Sequence, residues 1–376
     1  MLLDLTPDQE FFRETTAKFL ADLVPVDELR RLRDDADGFD RTYWKRGAEL
    51  GWTSLLVSEA NGGGSVSGRG VVDLAVIAHE IGWAAAPGPF TTTNLVAAAL
   101  SDTDTHKDVL DGLIAGTTIA SWCLTEAPPS DGLGDVALEV RVDGDELVLS
   151  GVKRPVESAN VASHLLVVGR TGDGLTQVLV PTDTEGVTVE PMGTVDLTRR
   201  FSLVRFDEVR VPASAAVGAV GGAADQIERQ LQLALVMLNA ESVGAMQRSF
   251  DLTVEWAFDR YTFGRPLSSY QALKHRYADM KSWLEGSHAL ADAATDAIED
   301  RAPDAGELVS AAKAFIGDYG VELVQDCVQL HGGIGVTYEH DLHLFLRRVT
   351  LDRALLGTPG EHRLRVADHF ENSETA

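Results

Sequence analysis

The hydrophobic period of this chain changes twice along its length. From Pro7 to about Thr117, apolar residues recur at spacings of three and four, as in QEFFRETTAKFLADL, YWKRGAEL and VVDLAVIAHEIGWAAA. That is the period of helices that bury one face. From Ile119 to about Val217 the texture shifts to short alternating or continuous apolar runs, among them LEVRVDGDELVLSG, HLLVVGR and QVLVPTD, set apart by Gly, Asp, Asn and Pro. Such runs predict strands, and VDGDELVL reads as a hairpin. After AVGAVGGAAD the helical spacing returns in a long segment from Asp225 to Arg260, then from Ser269 to Glu299, from Asp304 to Leu330, and once more after Glu339. The expected order is a helical domain, a β domain and a helical bundle.

At 376 residues the chain exceeds the roughly 250–300 residues that one core supports, so several domains are expected. Acidic residues outnumber basic ones 58 to 32, a net charge of −26. Nucleic acid is excluded as a partner, because phosphate binding is driven by clustered Lys and Arg. The charge reads as a soluble, self-repelling surface, or as a face for a basic protein partner. Two cysteines, Cys123 and Cys327, lie far apart without CxxC spacing, which points to neither a disulfide framework nor a metal site and fits a reducing cytoplasm. The start reads as a Thr6 cap with Pro7 opening a helix rather than as a signal peptide. No apolar run approaches the ~18–20 residues of a membrane span.

Two stretches carry candidate chemistry. DRYTFGRPLSSYQALKHRYADM, Asp259 to Met280, reads as a helix end at Gly264, a connection through Pro266 and a new helix capped by Ser268 or Ser269. As a joint it is ordinary, but the fork-shaped, permanently charged Arg260 is suited to hold a phosphate. In QLHGGIG, Gly332, Gly333 and Gly335 remove the side chains that would keep a ligand from the backbone N–H groups. A tight interhelical turn is the alternative reading.

These stretches, together with AELGWTSLLVSEANGGG, HEIGWAAAPGP, CLTE, LSGVKRPVESANVASHLLVV, VRFDEVRVP and LLGTPGEHR, resemble the acyl-CoA dehydrogenase family in order and spacing over essentially the full length. The resemblance implies an α+β multidomain fold: an N-terminal helical domain (1–118), a middle β-barrel-like domain (119–222) and a C-terminal four-helix bundle (223–376). It further implies FAD as cofactor, an acyl-CoA substrate dehydrogenated between Cα and Cβ, electron-transfer flavoprotein as acceptor, and a homo- or heterotetramer with a related subunit. Arg260 and Phe263 match the family's contacts to the FAD dinucleotide, and Gln329, Gly332 and Gly333 match residues that reach the cofactor in a neighbouring subunit's site. Thr125 matches a threonine at the flavin ring, Thr358 a residue near FAD, and Ser130, in a segment one residue shorter than usual, a serine beside the CoA pyrophosphate.

The chain departs from the family pattern in two places. Where KMWITN is usual it has KRPVES, with Pro155 and Glu157, and a carboxylate there would oppose an anionic reduced flavin. At the two family positions of the proton-abstracting carboxylate stand Leu356 and Ala234. Glu241, two helical turns after Ala234, shares its stripe and is the candidate base, with a structural carboxylate paired across the bundle as the alternative. Its AESVG setting resembles bacterial members built from two different subunits, which leaves a catalytically silent partner subunit as the competing function. His331 reads as a loop histidine satisfied by backbone, and Arg347, Arg348, Asp352 and Arg353 as ion pairs on a solvated helix face.

Overall fold

The structure, a computed structural model, describes residues 5–103, 105–127 and 136–373. Helices come first: α1 (Pro7–Leu23), α2 (Val26–Leu32), α3 (Arg41–Glu49), α4 (Gly70–Trp83), α5 (Phe90–Ser101) and α6 (Lys107–Ile114). Thr6 starts α1 as its residue type predicts. Gln9 N–H donates to Thr6 Oγ1 at 3.3 Å, and Thr6 N–H to Gln9 Oε1 at 3.0 Å, a reciprocal capping box. Eight strands follow: β1 (Ala120–Cys123), β2 (Glu139–Asp143), β3 (Glu146–Glu157), β4 (His164–Thr171), β5 (Gly174–Pro181), β6 (Val187–Met192), β7 (Phe201–Pro212) and β8 (Ala216–Val217). The remainder is helical apart from a two-stranded hairpin: α7 (Ala224–Asp259), β9 (Tyr261–Thr262), β10 (Arg265–Pro266), α8 (Gln271–Glu299), α9 (Ala305–His331), α10 (Leu342–Ala354) and α11 (Pro359–Ser373). No described helix is long and apolar enough to cross a membrane.

The chain divides into two compact units. One gathers residues 31–74 and 87–234 around a mixed sheet in the order β6-β7-β3-β2-β4-β5-β8, with β1 parallel to β4. The central strand β4 buries Leu165, Leu166, Val167 and Val168 completely, which is why HLLVV reads as a continuous apolar run rather than an alternating one. The predicted β2–β3 hairpin is present, with Asp143 opposite Glu146 and Gly144 at φ +64°. Cys123 lies buried on β1, and burial pushes its thiol up to about 12.

The other unit gathers residues 1–30, 75–86 and 235–376. Here α9 packs on α8, α10 and α11, burying Val309, Ala312, Ile316, Leu323, Val324 and Cys327 at helical spacing. Burial pushes the Cys327 thiol up to about 12 as well. The end of α4 crosses α7 with almost no side-chain space between them. A Cβ on Gly82 would stand 1.9 Å from Glu241 O, and one on Gly244 2.0 Å from His79 O.

Two buried histidines make this unit acid-sensitive. His288 and His362 are each held at about 3, chiefly by desolvation, with His288 4% and His362 1% exposed. Both stay neutral in the folded chain, whereas the unfolded chain protonates them below about 6.5. Their stabilisation is therefore complete above pH 6.5 and is lost as pH falls toward 3. At pH 5 each histidine should withdraw about 2 kcal/mol. Urea unfolding at pH 7 and pH 5 checks this, and equal stabilities would refute it.

Candidate functional site

The segment after α7 is built differently from the sequence expectation. α7 ends at Asp259, and Gly264 sits not at the helix end but in the two-residue turn of the β9–β10 hairpin, where Phe263 has φ +51° and Gly264 φ +81°. Two successive positive φ values match the twist of a tight hairpin. Glycine adopts them freely, but a bulky aromatic does not. Phe263 is also 92% exposed. Phe263 is thus both strained and uncovered. No Ser268 or Ser269 cap forms: Tyr270 is the N-cap of α8, and Ser269 Oγ donates to Pro266 O at 2.7 Å. Tyr270 also secures the hairpin, its hydroxyl donating to Thr262 O at 2.6 Å and its ring lying 3.8 Å beneath Arg265.

Arg260, the first residue after α7, is exposed, and its guanidinium lies 5.7 Å from the centroid of the Trp256 ring one turn earlier. That ring stacks at 5.2 Å and 20° on His331, the last residue of α9. Trp256 thus links Arg260 to the start of the glycine loop within one unit, and Phe263 lies on the hairpin that begins next to Arg260. His331 is satisfied by backbone as expected, Nδ1–H donating to Cys327 O at 2.8 Å. Gln329 is exposed. Gly332 takes φ +64° and ψ −138°, a conformation open essentially to glycine alone. Gly333 has no such need, and a Cβ there would meet nothing within 4 Å. The backbone at Gly333 is therefore open to close approach from outside the described chain. Ile334, Val336 and Tyr338, at 41%, 77% and 45% exposure, leave the loop's apolar side uncovered.

Thr125 lies half-buried after β1 in the sheet unit, its carbonyl accepting from Arg154 N–H at 2.8 Å. Beside it Glu126 is anchored by Lys153 Nζ at 2.5 Å and by the Ala137 and Leu138 N–H groups at 2.8 and 2.9 Å. Glu157 is not the bare carboxylate that KRPVES suggests: Arg199, only 5% exposed, grips it with Nε and Nη2 at 2.7 Å each. This bidentate pair cancels the charge that would oppose a reduced flavin. Ser130 lies outside the described residues. Thr358 is exposed and its hydroxyl donates to Glu361 Oε2 at 2.7 Å, which gives it a capping role at the start of α11.

Glu241 is 5% exposed and ion-paired with Arg348 Nη1, the guanidinium being fully buried. Arg348 Nη2 donates to Ala85 O and Ala86 O, at 3.3 and 3.2 Å, in the turn that follows α4. One arginine of α10 therefore ties α4 to α7. Next to it Ser242 Oγ lies 3.2 Å from Asp352 Oδ2, and buried Lys313 donates to Asp352 O. The reading of Arg348 and Asp352 as solvated is thus corrected, since they are 0% and 1% exposed. The paired guanidinium favours the charged carboxylate, so Glu241 is a weaker base than an unpaired buried glutamate would be. Leu356 keeps its place at φ +54°, its carbonyl accepting from His362 Nε2 at 2.8 Å, and Ala234 is fully buried. Trp256 and Arg199 escaped the sequence reading, and Arg348 was read only as a solvated ion pair. Trp256 alone had a local signal, an aromatic one turn before an arginine that ends a helix.

The chain matches the acyl-CoA dehydrogenase N-terminal domain over residues 6–116 and the acyl-CoA dehydrogenase C-terminal domain over residues 222–370. It is 29% identical over 367 residues to acyl-CoA dehydrogenase IpdE2 of Mycolicibacterium smegmatis, covering 96% of this chain and 98% of that protein. Among solved structures it superposes on the Tcur3481-Tcur3483 steroid ACAD with a TM-score of 0.88 and 27% identity, covering 98% of this chain and 99% of that one. Butyryl-CoA dehydrogenase from Megasphaera elsdenii shares the fold, with a TM-score of 0.88 at 23% identity and coverage of 98% and 100%. Two domain matches in family order and relatives aligned over nearly their whole length leave one conclusion: the chain belongs to the acyl-CoA dehydrogenase family.

Proposed function

We propose that this chain takes part in FAD-dependent dehydrogenation of an acyl-CoA thioester to a trans-2-enoyl-CoA, passing electrons to an electron-transfer flavoprotein. The observation that carries this reading is the Trp256 ring, which touches both Arg260 and His331 at the head of a loop whose Gly333 borders open space. Arg260 would bind the pyrophosphate, Phe263 would lie against the dinucleotide, and the Gly332 and Gly333 backbone would admit it closely. Because Arg260 and the loop share one end of one chain, they would serve the same cofactor together. Thr125 is the residue of the sheet unit matched to the family's flavin-ring threonine. When bound, the flavin supplies the acceptor for the β-hydride while a carboxylate takes the α-proton. The uncovered Tyr261, Phe263, Ile334 and Val336 support an assembly in which a second subunit covers this end.

Gly333→Val tests the cofactor reading. With no neighbour to clash with, the variant should fold with an unchanged unfolding transition yet lose at least ~90% of its bound flavin, because a valine would stand where the dinucleotide approaches. Full flavin content by absorbance would show the loop to be only a turn.

A second reading is favoured by the Glu241–Arg348 pair: this chain completes a partner's FAD site and supplies no base of its own. The solved relative named for two proteins, Tcur3481 and Tcur3483, is in keeping with it. Flavin counted against protein mass in native mass spectrometry separates the readings. Four FAD in a homotetramer support a self-sufficient enzyme, and two FAD in a mixed tetramer support the partner role.

A further inference from the structure

The ring that joins Arg260 to the glycine loop belongs to a longer column. Trp256 lies between the Arg260 guanidinium, 5.7 Å from its ring centroid, and His331, stacked at 5.2 Å. His331 in turn meets His340 at 4.4 Å and 60°. His331 and His340 bracket the loop, one just before Gly332 and the other just after Glu339, so their contact pins both ends of the segment. The Trp256 indole N–H is buried and finds no acceptor among the described residues. The ring is therefore held by its faces, not by a hydrogen bond at its edge. Four side chains from the end of α7, the end of α9 and the segment before α10 thus form one run of contacts between the exposed Arg260 cation and the glycine loop.

We propose that Trp256 and His340 are positioning residues that hold Arg260 and the Gly332–Gly333 backbone in register to clamp a dinucleotide pyrophosphate. The inference rests on the cofactor reading above. Trp256 restrains Arg260 by cation–π attraction within the ~6 Å range of that interaction. It restrains the loop through its stack on His331, and His340 closes the loop behind. A guanidinium already confined loses less freedom when it binds phosphate, so preorganisation rather than new contact supplies the affinity.

The test is a mutant cycle read as FAD affinity by flavin fluorescence, on the protein in the assembly in which it purifies, with thermal unfolding followed in parallel. Trp256→Leu is expected to weaken FAD binding about tenfold, the equivalent of a strong cation–π contact. Trp256→Phe keeps a flat ring and should recover affinity to within about threefold of the native protein. In an Arg260→Ala background, Trp256→Leu should add no more than about threefold, because only its hold on the loop through His331 remains. A full, additive tenfold loss in that background overturns the proposal. Unchanged affinity in Arg260→Ala alone instead overturns the cofactor reading beneath it. Should Trp256→Leu fail to fold, His340→Ala, at a half-buried position, carries the test. A loss of about fivefold in FAD affinity without a fall in unfolding temperature is expected, and unchanged affinity rejects the role of the column.

Discussion

Replacing Glu241 by glutamine is expected to lower the unfolding free energy by about 3–5 kcal/mol, because it leaves the fully buried Arg348 charge without its counter-ion. The loss precedes any effect on turnover and would be misread as catalytic if activity alone were measured. Removing both charges separates the two roles. In Glu241→Met with Arg348→Met the buried ions are replaced by apolar side chains of similar length, which is often close to neutral for a buried pair. The carbonyls of Ala85 and Ala86 lose their donor, so a residual deficit of about 1–3 kcal/mol is expected. Denaturant unfolding of the single and double variants measures the coupling. If the single variant proves as stable as the native chain, the pair is not holding α4, α7 and α10 together. If the double variant folds, binds flavin and retains turnover, Glu241 is not the base. A drop of about two to four orders of magnitude, with folding and flavin intact, identifies it as the base.

Gly244→Ala should destabilise the chain by about 3 kcal/mol, against the direction that helix propensity alone demands. In an exposed helix interior alanine would gain about 1 kcal/mol over glycine. Here its Cβ would lie 2.0 Å from His79 O and 2.8 Å from Trp83 N. These are backbone atoms of α4 and cannot rotate aside, so the helices must separate, and overpacking of this kind outweighs the propensity gain. Separation would also stretch the Arg348 bridge between the same helices. A lowered urea midpoint checks the expectation, and a raised one would mean that the crossing has slack. The effects of Gly244→Ala and Glu241→Gln should not add, because both act on one crossing.

The elements were legible because their hydrophobic period is clean. Thr6 and Pro7 fixed the start of α1, and α7, α8 and α9 run within a residue or two of the expected limits. The hairpin after Asp259 was missed because its strands have two residues each, too few for any period, and because Gly264 followed a helix and so resembled a helix terminus. The burial of Arg348 and Asp352 was missed for a different reason. Long charged side chains on a helix are usually solvated, and their partners, Glu241, Ser242 and Lys313, lie between 39 and 110 residues away in sequence. Glu157 was read as a free carboxylate on the same ground, since nothing near KRPVES announces Arg199. The residues at the candidate site were recognisable by family likeness, but the aromatic column that joins them is a product of tertiary packing.

The two buried thiols give this chain a pair of internal clocks. Cys123 sits in the sheet unit and Cys327 in the helical unit, and neither can react with an alkylating reagent until its surroundings open. Labelling rates of the native protein therefore report two opening equilibria separately, one for each unit, without any introduced probe. Cys327 lies one helical turn before His331 and offers it a carbonyl, so its rate senses the end of α9 directly. A ligand that settles on the glycine loop should slow the labelling of Cys327 while leaving that of Cys123 at its original pace.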